Sequence, residues 1–208
     1  MIQIYPSVMA SKQEELTVML SRLKGVAKTV HLDVADGHFV PTTVNWFELK
    51  LSRKFSYSAH LMVNKPLAWI EKHGSRMSTI IIEPEPLRDV IFVLGAIKAL
   101  KKRVGIALKP ETSVASVKRY LSLVDVVVVL TVHPGYYGAK FLSAPLKKIN
   151  QIKKINPQIE VIVDGGMNPQ TIKSAVKAGA DAVVSGGFIT KASDPKKAMR
   201  MLRDAARG

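Results

Sequence analysis

The sequence contains no cysteine among its 208 residues. This absence excludes disulfide bonds, thiolate metal sites and cysteine nucleophiles. No segment approaches the roughly 18 consecutive apolar residues that a membrane-spanning helix requires. The start, MIQIYPSVMA, also lacks the basic segment and long apolar stretch of a secretion signal. We therefore expect a cytoplasmic protein that does not associate with membranes.

Acidic residues are scarce relative to basic ones, because 16 Asp and Glu stand against 31 Lys and Arg, which gives a net charge of +15. Such an excess is typical of proteins that bind nucleic acid, an anionic surface or an anionic small substrate. The basic clusters at 101–103, 147–154, 196–197 and 200–207 alternate with apolar positions of predicted helices. We therefore favour solvated helix faces over a nucleic-acid groove.

Short apolar or β-branched segments alternate with amphipathic segments along the chain. Eight strands are predicted, at 2–8, 29–35, 57–63, 78–84, 103–109, 125–132, 159–164 and 181–186. Helical spacing of apolar residues is found at 14–26, 86–102, 144–155, 169–179 and 194–206. Eight strand–helix units predict an α/β protein in which residues 1–208 form a single (β/α)8 TIM barrel. An open, doubly wound sheet is the alternative.

Four polar side chains lie near the C-terminal ends of predicted strands, the end of a barrel that carries active sites. His31 and Asp33 share one face of the second strand, because side chains alternate with a period of two. His60 lies on the third strand, and Asp164 ends the seventh. Burying two imidazoles and two carboxylates requires compensation. We predict one site for a divalent ion, Zn²⁺, Fe²⁺, Mn²⁺ or Co²⁺, with a metal-free polar network as the alternative.

Two glycine pairs follow the predicted seventh and eighth strands, Gly165 with Gly166 and Gly186 with Gly187. Backbone N–H groups in such turns, close to helix N-termini, bind phosphate. In many barrels the phosphate lies after strands seven and eight. We therefore predict a phosphate site here, and the alternative is that the glycines only permit tight turns.

The longer loop HPGYYGAKF, residues 133–141, follows the predicted sixth strand and contains Gly135 and Gly138. It could close over the site as a lid. A plain surface loop is an equally good interpretation of the sequence.

The segments PSVMAS, HLDVADGHFVP, AHLMV, HPGYYGAKF, VDGGM and VSGGFI, in this order and spacing, resemble the ribulose-phosphate 3-epimerase family. The resemblance extends from Ser7 to about Ile189, and HLDVADGHFVP followed by AHLMV is its most specific part. It implies a barrel of the ribulose-phosphate-binding type with one divalent metal ion. It also implies interconversion of D-ribulose 5-phosphate and D-xylulose 5-phosphate, and often a homo-oligomer.

The resemblance also assigns roles by position. His31, Asp33, His60 and Asp164 match the metal ligands, and Asp33 and Asp164 match the paired acid and base. Inverting C3 needs two carboxyl groups on opposite sides of the carbon, one ionised and one protonated. The residues expected to contact substrate are Ser7, Met62, Gly135, Gly138, Gly165, Gly166, Gly186 and Gly187.

Several positions depart from the family pattern. Ala35 replaces a usual Met, Glu83 a usual His, Lys109 and His133 usual asparagines, and Tyr137 a lid glycine. Another ketose phosphate, such as a hexulose 6-phosphate, is therefore an alternative substrate. A non-catalytic basic barrel that binds a polyanion is a further alternative, but it leaves the His and Asp cluster unexplained. A decarboxylase or aldolase of this superfamily would typically carry Asp-x-Lys-x-x-Asp, which is absent here.

Overall fold

The computed structural model describes residues 2–135 and 138–208. The strands are β1 (Gln3–Val8), β2 (Thr29–Asp36), β3 (Thr43–Val44), β4 (Ser56–Met62), β5 (Thr79–Ile82), β6 (Arg103–Leu108), β7 (Val126–Leu130), β8 (Glu160–Asp164) and β9 (Ala182–Ser185). The helices are α1 (Gln13–Arg22), α2 (Pro66–His73), α3 (Val90–Ala99), α4 (Val114–Val117), α5 (Lys147–Ile155), α6 (Thr171–Lys177), α7 (Gly187–Thr190) and α8 (Pro195–Ala205). Within these residues, no helix has both the length and the apolar character needed to cross a membrane.

Eight of the strands form a closed parallel barrel. The order around it is β1, β2, β4, β5, β6, β7, β8 and β9, and β9 pairs with β1 again. An open sheet would leave two edges unpaired, so the doubly wound alternative is wrong and the TIM barrel is confirmed. Each barrel strand overlaps its predicted segment. The two-residue strand β3, antiparallel to β2, was not predicted, because it is too short to show an alternating pattern.

The barrel interior follows from strand alternation. Ile81 packs inside the barrel with Val126, Val128 and Val184, whereas its neighbours along β5 belong to the layer between strands and helices. His60 pairs in register with Ile81 and therefore points into the same interior. Asp33 pairs with His60, and Asp164 pairs with Leu130 and Val184. The strand register thus places these polar side chains at one end of an apolar barrel interior.

Asn45, just after β3, holds the ends of the first two strands together. It is fully buried, and its backbone has a φ of 50°, a left-handed value that asparagine tolerates well. Its amide Nδ2 donates to the carbonyls of Val8, at 2.9 Å, and of Asp33, at 2.8 Å. Its Oδ1 accepts from the backbone N–H of Ala10. The side chain therefore supports the backbone of a predicted metal ligand.

We expect Asn45→Ala to lower the free energy of unfolding by about 3 kcal/mol, since it leaves buried carbonyls and an N–H without partners. For a chain of this size the loss corresponds to a fall in Tm of about 6–12 °C. Asn150→Ala, at an exposed position of α5, is the matched control and should change stability by at most about 0.5 kcal/mol. Thermal denaturation of both variants measures the difference, and equal Tm values would contradict the role of Asn45.

Candidate active site

The four predicted metal ligands come together at the C-terminal end of the barrel. One ligand atom from each of His31, Asp33, His60 and Asp164 lies within 4.8 Å of the others. His31 Nε2 lies 3.5 Å from Asp33 Oδ1 and 3.8 Å from Asp164 Oδ2. His60 Nδ1 lies 3.6 Å and 3.9 Å from the same two atoms. Both imidazoles therefore face both carboxylates.

These separations suit a shared cation better than direct hydrogen bonds. They are long for N–H···O contacts, and among the described residues both nitrogens of His31 and Nδ1 of His60 are buried without a hydrogen-bond partner. In tetrahedral coordination, two ligand atoms that each lie about 2.1 Å from the ion are roughly 3.4 Å apart. Buried polar atoms without protein partners call for a bound water or ion. The residues present therefore fit a divalent metal.

The two carboxyl groups differ in acidity. Burial alone would raise the pKa of Asp33, but the neighbouring imidazoles of His31 and His60 hold it well below its usual range. Burial, together with the negative charge of Asp33, raises the pKa of Asp164 to about 6. A cation at this place would lower both values, because it favours the ionised carboxylates. The pair thus contains two carboxyl groups of unequal proton affinity, as a paired acid and base requires.

His60 contacts a third carboxylate as well. Its Nε2 lies 2.9 Å from Oε1 of Glu83, which follows β5 directly and is 1% exposed. Burial alone would lower the pKa of His60, but the carboxylates of Asp33 and Glu83 raise it to about 10. Burial raises the pKa of Glu83 itself. The sequence marked Glu83 only as a departure in the pocket, and its contact with a predicted ligand was not foreseen.

A cavity of about 510 Å³ opens above the four-residue cluster. Asp33, His60 and Asp164 line it, whereas His31 lies fully buried beneath. All the residues that the sequence predicted to contact substrate also line this cavity: Ser7, Met62, Gly135, Gly138, Gly165, Gly166, Gly186 and Gly187. The cavity therefore joins the predicted metal ligands to both glycine pairs.

At Gly165 and Gly166 the backbone conformation and the neighbouring side chains leave no room for a Cβ atom. Gly165 has a φ of 114°, and a Cβ there would lie 2.5 Å from a methyl carbon of Val132. Gly166 has a φ of 66°, and a Cβ there would lie 2.9 Å from Cβ of Phe141. Tight turn geometry is thus sufficient to explain these two glycines. Phosphate binding at both turns stays a prediction, which the position of the turns on the cavity supports.

The loop at 133–141 borders the cavity through Gly135 and Gly138. Thr42 Oγ1 donates to the carbonyl of Gly135 at 2.8 Å, which ties the start of the loop to the segment before β3. Tyr136 and Tyr137 lie outside the described residues. Closure of this loop as a lid therefore stays a prediction.

The departures at Ala35, Lys109 and His133 belong neither to the four-residue cluster nor to the residues that line the cavity. The Lys109 ammonium lies 5.1 Å from the ring centre of Phe39. His133 is largely exposed and lies 3.7 Å from a carboxylate oxygen of Glu111. Ala35 is buried and packs with Met62.

Lys191 is a cavity residue that the sequence analysis missed. It follows α7 and lines the cavity together with Gly186 and Gly187. A Cβ placed on Gly187 would lie 3.8 Å from Cδ of Lys191, so the lysine stem runs alongside the turn. Its spacing of four residues from Gly187, one helical turn, was the available signal.

Comparisons with known proteins identify the family of this chain. The model of the Ribulose-phosphate 3 epimerase family matches residues 3–190. The cytoplasmic isoform of ribulose-phosphate 3-epimerase from Oryza sativa subsp. japonica is 34% identical, covering 99% of this chain and 95% of that protein. The ribulose-phosphate 3-epimerase of Bacillus subtilis is 29% identical, covering 98% and 99%.

Solved structures with the same fold are more distant in sequence. KGPDC from Streptococcus mutans has a TM-score of 0.71 at 11% identity, covering 99% of this chain and 97% of that chain. The 3-hexulose-6-phosphate synthase from Salmonella typhimurium has a TM-score of 0.69 at 16% identity, covering 99% of each chain. At such identities the likeness concerns the fold alone.

Proposed function

Because the chain belongs to the ribulose-phosphate 3-epimerase family, we propose that it inverts C3 of D-ribulose 5-phosphate to give D-xylulose 5-phosphate, and the reverse. The observation that carries the proposal is the pair Asp33 and Asp164. These two carboxyl groups line one cavity from different strands, β2 and β8, and differ in proton affinity. A non-catalytic barrel that binds a polyanion would not need this pair of carboxyl groups.

Epimerisation proceeds by proton removal and return at one carbon. The C3 proton is acidic because the C2 carbonyl stabilises the electron pair that it leaves behind. One aspartate, ionised, takes this proton, and the other, protonated, delivers a proton to the opposite face. In the reverse direction the two roles exchange. Asp33 and Asp164, on separate strands above an apolar barrel interior, are the residues proposed for these steps.

His31, Asp33, His60 and Asp164 would hold the divalent metal ion, whose identity as Zn²⁺, Fe²⁺, Mn²⁺ or Co²⁺ stays open. When bound, such an ion supplies positive charge beside the substrate oxygens that become more negative in the transition state. The turns at Gly166 and Gly186–Gly187 are proposed to bind the phosphate at the other end of the substrate.

The test is proton NMR of the metal-loaded protein with D-ribulose 5-phosphate in D₂O. We expect D-xylulose 5-phosphate to appear with deuterium at C3, because the aspartate protons exchange with solvent. If the protein holds metal and neither product nor exchange appears, the pentulose substrate is wrong. The same assay with hexulose 6-phosphates then tests the substrate that the altered residues Glu83 and Lys109 leave open.

Lys191 is proposed to bind the substrate phosphate. We expect Lys191→Met to raise KM about five- to tenfold with kcat unchanged, because a charge-assisted hydrogen bond at an exposed position contributes about 1 kcal/mol to binding. Lys173→Met, on the exposed side of α6, removes the same charge away from the cavity and is the matched control. Steady-state kinetics of both variants decide, and an unchanged KM in Lys191→Met would contradict the role.

Two further expectations stay predictions. The rice relative is a cytoplasmic isoform, which supports a cytoplasmic location for this chain. A homo-oligomer is expected from the resemblance, and light scattering of the purified protein measures it.

A further inference from the structure

His60 differs from His31 in having a carboxylate partner on the side away from the predicted metal. Its Nε2 contacts Glu83 Oε1 at 2.9 Å, while its Nδ1 faces Asp33 and Asp164. A histidine that binds a cation does so as the neutral imidazole, which carries one N–H and one lone pair. An N–H at Nε2, donated to Glu83, leaves the lone pair at Nδ1. Glu83 therefore determines which nitrogen of His60 is available to a cation.

His60 contacts only one of the two carboxylate oxygens of Glu83. It is 1% exposed, and among the described residues its second oxygen, Oε2, has no hydrogen-bond partner. A buried carboxylate held through one oxygen is costly unless positive charge lies nearby. Three carboxylates, those of Asp33, Asp164 and Glu83, thus lie within 4 Å of His60. A divalent cation in the cluster would balance this excess of negative charge.

The contrast with His31 shows that burial alone does not require such a partner. Neither ring nitrogen of His31 has a hydrogen-bond partner among the described residues, although its side chain is also fully buried. The carboxylate on His60 is therefore a specific addition to one of the two predicted nitrogen ligands.

We propose that Glu83 is a positioning residue of the metal site, which fixes the His60 ring with Nδ1 towards the ion and strengthens this nitrogen as a ligand. The inference rests on the metal site of the proposed function. A carboxylate that accepts the outer N–H of a ligating histidine raises the basicity of the ligand, and losing it typically weakens metal binding 10- to 100-fold. Glu83 acts through His60 and does not touch the substrate.

The test is a Co²⁺ titration of the full chain after chelation and dialysis, followed by the visible absorption of the bound ion and by competition with a chromophoric chelator. Glu83→Gln keeps the shape of the side chain and removes its charge. We expect its Kd for Co²⁺ to rise 10- to 100-fold and the absorption bands to shift. Glu85→Gln, two residues further on at an exposed position, is the matched control, and its Kd should stay within twofold.

The outcomes distinguish a failure of the proposed role of Glu83 from a failure of the proposed metal site. A wild-type protein that binds Co²⁺, with a Glu83→Gln variant of the same Kd and the same spectrum, overturns the role of Glu83 and leaves the metal site standing. A folded wild-type protein that binds no Co²⁺ overturns the metal site and this inference together. If circular dichroism shows that Glu83→Gln is unfolded, Glu83→Met replaces it, because methionine is an uncharged side chain of similar length. The same weakening is expected, since the charge is again removed.

Discussion

Asp164→Asn is expected to lower kcat for epimerisation about 10²- to 10⁴-fold, the range by which a positioned acid or base accelerates a reaction. Asparagine keeps the size of the side chain and an oxygen that can still bind a metal, but it cannot accept or deliver the C3 proton. Kinetics are therefore measured at saturating metal, with metal content determined in parallel. Asp33→Asn is the partner variant, because it removes the other member of the pair.

Isotope exchange at C3 provides a second, more specific prediction for the same two variants. With one carboxylate left, the C3 proton can still be removed from one face and returned to the same face. Each variant should therefore exchange deuterium into one epimer without converting it, and the two variants should label opposite epimers. Proton NMR in D₂O measures exchange and conversion together. Conversion near the wild-type rate in metal-loaded Asp164→Asn would exclude Asp164 as the second proton carrier.

Removal of the metal is expected to abolish epimerase activity and to lower Tm by about 5–10 °C. An ion present at 100 times its Kd stabilises the folded protein by about 2.7 kcal/mol, and in chains of this size 1 kcal/mol corresponds to about 2–4 °C. The physical reason is that, among the described residues, both ring nitrogens of His31 and Nδ1 of His60 are buried without a hydrogen-bond partner. Thermal denaturation and activity before chelation, after chelation and after addition of Zn²⁺, Mn²⁺ or Co²⁺ test it.

A pair of histidine variants provides the control. His31→Gln removes a buried predicted ligand, so added metal should no longer raise its Tm. His38→Gln alters a side chain that is 76% exposed and should keep the full metal-dependent rise. If chelation changes neither Tm nor activity in the wild-type protein, the cluster is a polar network without metal, the alternative that the sequence left open.

The fold was predictable because its signals are local and repeated. Each barrel strand is an apolar segment next to a helix, and the chemistry-bearing residues His31, Asp33, His60 and Asp164 lie near strand ends, where barrels place their sites. That these side chains converge could be inferred from the barrel fold alone, without knowing the register between its strands. The two-residue strand β3 and the buried Asn45 could not be predicted in this way, because a single asparagine in a loop carries no periodic signal.

The contact between Glu83 and His60 could not be predicted from the sequence, for a different reason. It crosses from the end of one strand to its neighbour, and a shift in register by one residue would turn a side chain to the opposite face. Sequence therefore showed that Glu83 is unusual but not what it touches. Lys191 was missed because a lysine after a short helix is common, and only the closed barrel brings it to the cavity.

The pairing of β1 with β9 has a consequence for how the protein acquires its site during synthesis. Gln3 lies beside Ala182, so the barrel closes only after nearly the whole chain has left the ribosome. Two predicted ligands lie on β2, one on β4 and one on β8, and such distant partners meet only after a long loop has lost its freedom. A cation therefore cannot act as the folding nucleus. Apolar strands must assemble the barrel first, and the four predicted ligands come together only when it closes.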